Sequence, residues 1–103
     1  MDNFKERERA FENKFAHDEE MVFKAFARRN RLAGLWAADL LGKSGDDAQA
    51  YAMEVIHVDV GEGGHEDVYR KLAADLGDKA DERTIRAKLD ELLTRAKAQL
   101  IEE

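Results

Sequence analysis

The sequence contains no cysteine and no proline. Without cysteine, disulfide staples and thiolate metal sites are excluded, and nothing marks an oxidising compartment. Average proline usage of about 5 % would have supplied several residues. Their absence leaves helix favoured along the whole chain. No apolar stretch approaches the ~20 residues of a membrane span. The opening MDNFKERERAFEN carries charge where a signal peptide would be apolar. A cytoplasmic chain that is neither exported nor inserted into a membrane is therefore expected. Positive charge of one sign is missing too: residues 1–31 hold eight basic and seven acidic side chains, and residues 32–103 hold nine and sixteen. A net charge of −6 with its acid concentrated C-terminally lacks the field that draws phosphate backbones, so nucleic acid is disfavoured as a partner.

Alanine, leucine, glutamate, lysine, arginine and aspartate dominate what remains, all compatible with helix. At 103 residues the chain makes one modest domain that buries roughly 60–70 % of its unfolded surface. Phe4, Phe11, Phe15, Val22, Phe26, Ala33, Trp36 and Leu40 fall within a sector about 80° wide on a helical wheel. This seam predicts one long first helix from residue 4 to residue 40, ended by Gly42 in LLGKSG. Ser44 or Asp46 would cap a second helix with Tyr51, Val55 and Val58 or Asp59 on one face. The alternation of VIHVDV is also compatible with a short strand, but the helical context favours helix. After the break at GEGG, residues 61–64, a third helix carries Val68, Leu72 and Leu76 and closes at Gly77. A fourth repeats Ile85, Leu89, Leu92, Ala96 and Leu100, with a charge ladder through Glu82, Arg86 and Asp90. The fold expected is all-α: a four-helix bundle over residues 18–103, with residues 1–17 as a mobile arm continuing the first helix.

Chemistry is scarce. Ser44, Thr84 and Thr94 are the only hydroxyls besides two tyrosines, and none lies in a nucleophile motif, so no enzyme is expected. His17 and Glu20 share a helix face and make half a metal site, but His57 with Asp59 and His65 with Glu66 do not repeat that spacing. LLGKSG resembles the tail of a phosphate loop, yet the first glycine of that motif would stand where Ala37 is, on a helix rather than after a strand. A helix end followed by a new start is the preferred reading. No cofactor is required; weak ATP or ADP contact at Arg28, Arg29 and Lys43 is one alternative, and a helical adaptor for another protein is a second.

Residues 1–17 differ from a core seam. Phe4, Ala10, Phe11, Phe15 and Ala16 are the only apolar positions after Met1, set among dense charge. Three rings bury roughly 5–9 kcal/mol against an ordering cost of about 1–2 kcal/mol per residue, so the segment should fray alone. Continuity with a folded helix removes the nucleation cost. A groove that takes the rings and pairs Lys5, Arg7, Arg9 and Lys14 would make it helical, by the helix-in-groove mode.

The run RERAFENKFAHDEEMVFKAFARRNRLAGLWAADLLGKSG, residues 7–45, resembles the ATPase inhibitor subunit zeta of alphaproteobacterial F-type ATP synthases. The likeness extends through EDVYRKLAADL and TIRAKLDELL. It implies a bundle that is monomeric when free. Its N-terminal segment would enter the catalytic sector between the catalytic stator subunits and the central rotor and block ATP hydrolysis. That would place the protein at the cytoplasmic face of the inner membrane through the synthase. The partner-binding residues implied are Phe4, Arg7, Glu8, Arg9, Phe11, Glu12, Lys14, Phe15, Asp18 and Glu19.

Overall fold

Asp18 divides the seam that the phenylalanines trace. In the computed structural model, which describes residues 3–15, 17–58 and 64–103, α1 spans Asn3–Phe15 and α2 spans Glu19–Leu40. Asp18 lies between them with extended backbone, its side chain accepting from the Met21 N–H at 3.2 Å. Glu19 and Glu20 fill the first turn of α2, where the positive end of the helix dipole favours carboxylates. The single helix expected from residue 4 to residue 40 is therefore two helices. The wheel kept its phase across the break, but a capping aspartate followed by two glutamates is a start signal of its own.

The other elements follow the sequence pattern closely. α2 ends in a Schellman cap, Gly42 taking φ +78° while Lys43 N–H bonds Ala38 C=O at 2.8 Å and Gly42 N–H bonds Asp39 C=O at 3.1 Å. α3 runs Gly45–Val58, so VIHV is helical and Ser44 precedes the first turn. Asp59 and residues 61–63 of the glycine-rich break lie outside the described residues. α4 covers Gly64–Leu76, a short 3₁₀ turn follows at Gly77–Lys79, and Asp81 caps α5, Glu82–Glu102, by accepting from Thr84 N–H at 2.8 Å. Among the described residues there is no strand, and no helix is long and apolar enough to cross a membrane.

Helices α2 to α5 pack around one core, α2 against α3 and α5, and α4 against α2, α3 and α5. Ala33, Ala37 and Ala38 of α2 meet Tyr51 and Val55 of α3, Val68, Leu72 and Leu76 of α4, and Ile85, Leu89 and Leu92 of α5. Trp36 packs against this core half-buried, whereas Leu40, placed in the seam by the wheel, is 39 % exposed. On the α3–α4 side, Tyr51 donates to Asp75 at 2.7 Å and Lys71 bridges Glu54 and Asp75 at 3.2 and 3.0 Å. Burial, then the hydrogen bond to Asp75, pushes the Tyr51 phenol above its ordinary pKa. Burial opposes ionisation of Asp75 as well, but the bonds from Tyr51 and Lys71 outweigh it and hold that carboxyl low.

Helices α2 and α3 approach each other closely at Gly34. A Cβ there would lie 2.6 Å from the Ala52 Cα, a backbone atom that cannot move aside without separating the helices. Gly34→Ala is expected to destabilise the bundle by about 1–3 kcal/mol, lowering Tm by roughly 5–15 °C. A melting curve matching wild type would show that α2 and α3 are not in this register.

Candidate functional site: the N-terminal helix

Helix α1 returns against the bundle, and its main neighbour is α5. Phe11 is only 1 % exposed and is buried with Ala25 of α2 and Leu100 of α5; Phe15, Met21, Val22, Leu93 and Ile101 pack around this cluster. The Phe11 and Phe15 rings tilt at 56° with centroids 5.2 Å apart, a favourable aromatic geometry. Polar contacts flank the ring. Glu8 accepts from the Thr94 hydroxyl at 3.1 Å, and Lys97 stands 3.8 Å from Glu8 and pairs with Glu12. The Lys97 ammonium also lies 5.7 Å from the Phe11 ring centroid, and its side chain is 14 % exposed. Arg7 pairs with Glu102 near the C-terminus of α5.

The residues assigned to partner binding thus have different surroundings. Arg7, Glu8, Phe11 and Glu12 face α5, and Phe15 is half-buried at the edge of the same cluster. Arg9 and Lys14 point to solvent, the Lys14 ammonium 5.2 Å from the Phe15 ring. Asp18 and Glu19 cap and open α2, so their nearest evident duty is structural. The Phe4 side chain lies outside the described residues.

The candidate nucleotide residues are not gathered into a cradle. Arg28 pairs with Glu103. Arg29 is buried within α2, its guanidinium donating to the Asn30 side chain at 2.9 and 2.7 Å and lying 5.0 Å from the Phe26 ring. Lys43 stands beyond the far end of α2; the twelve residues from Arg29 to Leu41 correspond to about 18 Å of helix rise. Lys43 serves the Schellman cap with its backbone. Among the described residues no three His, Asp or Glu side chains converge as metal ligands would.

Sequence reasoning missed the receiving side: Thr94, Lys97 and Glu102. A signal was present, because Leu93, Leu100 and Ile101 form a second apolar stripe on α5, at i, i+7 and i+8, beside the bundle-facing Ile85, Leu89 and Leu92.

The family model described as ATPase inhibitor subunit zeta matches residues 1–99. The chain belongs to that family. A protein whose solution NMR structure is known is 57 % identical; the alignment covers 80 % of this chain and 96 % of that one, with a TM-score of 0.73. Comparison with curated proteins gives no match. A zeta-family chain is a regulatory subunit, not a catalytic one, and an ATP synthase is the partner that its family implies.

Of the side chains holding α1, Lys97 contacts the most polar groups and sits over the buried Phe11 ring. Lys97→Glu would set like charges against Glu8 and Glu12. It should raise amide exchange of residues 5–15 about five- to thirty-fold, corresponding to ~1–2 kcal/mol, with α2–α5 unchanged. Unaltered protection of α1 would mean that the charges contribute nothing to its seat.

Proposed function

We propose that this zeta-family chain inhibits ATP hydrolysis by an F-type ATP synthase, with α1 leaving α5 to lodge between the stator's catalytic subunits and the rotor. Family membership supports the inhibitory role. The observation that favours α1 as the moving part is its attachment: of the three residues fully buried in the α1 cluster, only Phe11 comes from α1, whereas eleven form the bundle core. Burying one phenylalanine contributes roughly 1.5–3 kcal/mol, and exposed ion pairs typically add 0–1 kcal/mol each. Such a seat is separable from a bundle that stays folded.

Release would present the edge of Phe11 and Phe15 together with Arg7, Glu8, Arg9, Glu12 and Lys14 for pairing in the new site. The bundle and the synthase then compete for one surface, and the apparent affinity is reduced by the fraction of molecules with α1 docked. A helix wedged where rotor and stator slide stops rotation without touching phosphate transfer. In this reading the protein works at the cytoplasmic face of the membrane, held there by the synthase.

ATP hydrolysis by the purified cognate catalytic sector should fall when the full chain is added and be unaffected by a chain lacking residues 1–17 whose helical circular dichroism and melting show an intact bundle. Equal inhibition by both would overturn the assignment of the wedge to α1.

A further inference from the structure

The outer face of α2, away from the bundle core, carries a second apolar surface that neither the core nor α1 covers. Between the end of α3 and the last turn of α5 it forms an open groove of about 590 Å³. Phe23, Ala27 and Leu32 belong to its lining, with Ile56 from α3 and Leu100 from α5. Phe23 is 68 % exposed, more than Leu40 or Met53, the other exposed large hydrophobic side chains among the described residues. Along the same groove Lys24, Arg28 and Arg31 follow one another at i, i+4 and i+7. Their carboxylate partners are exposed: Glu20 lies 3.4 Å from Lys24, and Glu103 pairs with Arg28. Arg31 meets the neutral Gln49 side chain at 3.4 Å.

Three cations beside an exposed ring reverse the local sign of a chain whose net charge is −6. We propose that this groove is a docking site for an acidic amphipathic helix of a partner protein. Its apolar residues would cover Phe23, Ala27 and Ile56, and its carboxylates would pair with Arg28 and Arg31. The helix-in-groove mode needs apolar anchors at helical spacing with complementary charge beside them, and both are present. Exchanging Glu20 and Glu103 for a partner's carboxylates costs little, because solvent-screened pairs contribute little to stability.

Geometry and charge argue against two other occupants. A small ligand would leave much of its surface in water in so open a trough, whereas enclosed pockets bury about 70–90 % of theirs. An anionic membrane is broad and would bring its charge against the acidic remainder of the protein. A helix about 10–12 Å across stays close to the basic stripe at a Debye length of ~8 Å. The groove is independent of the role given to α1, although Leu100 lines it and also packs against Phe11.

The test is an amide-shift titration of the isotopically labelled full chain with a synthetic helical peptide carrying leucine at i, i+3, i+4 and i+7 and glutamate between. Saturable shifts are expected at residues 23–32 and 56. Affinity should be about tenfold lower for the Arg28→Glu/Arg31→Glu chain, with helical content unchanged, and binding should weaken with salt. An Arg31→Gln chain, which removes one charge without reversing it, should lose less. No saturable shift, shifts centred on α1 and residues 93–97, or equal binding of the lysine version of the peptide would each overturn the proposal. So would indifference to charge reversal, or binding only to phosphatidylglycerol vesicles.

Discussion

Helix α5 has to satisfy two neighbours at once. Ile85, Leu89 and Leu92 are buried on the bundle side, while Leu93, Leu100 and Ile101 face α1. A domain of this size has little apolar surface to spare, and the division is unequal. The bundle side joins a continuous core drawn from four helices, whereas the α1 side closes over Phe11 with Phe15 at its edge. Local stability is expected to follow the same division, since segments with few buried contacts open before the core does. The fold therefore joins a larger core to a helix held by a smaller apolar cluster.

Much of this was legible in the sequence, because helical periodicity reports which residues face inward. Val68, Leu72 and Leu76, and Ile85, Leu89, Leu92, Ala96 and Leu100, were expected at buried positions and are buried. The same periodicity misread the first 40 residues. A wheel records angle but not continuity, and the phase shared by Phe15 and Val22 concealed the start that Asp18 makes for α2. Nor does periodicity say which neighbour an apolar edge meets. Phe11 was read as turned towards a partner, and in the free chain its partner is α5. Thr94 and Lys97 carry no sequence motif; only the fold brings them to Glu8 and Glu12.

The docked helix bears directly on regulation. Under the proposed mechanism, a segment that must be free to act, yet is covered at rest, keeps its apolar edge out of solution and sets a threshold for engagement. The charges along α1 fit both situations. Arg7, Glu8 and Glu12 pair with Glu102, Thr94 and Lys97 while α1 is docked, and Arg9 and Lys14 remain outward and accessible for a first encounter. Electrostatic encounter followed by exchange of an apolar seat is a physically economical route from one partner to the other.

That exchange can be tested by forbidding it. The chain has no cysteine, so Glu8→Cys and Thr94→Cys can be joined specifically by a short bifunctional maleimide that ties α1 to α5. The tethered protein should leave ATP hydrolysis by the catalytic sector unaffected, while the same double variant without the tether inhibits it. Undiminished inhibition by the tethered protein would contradict the claim that α1 must leave its seat to act.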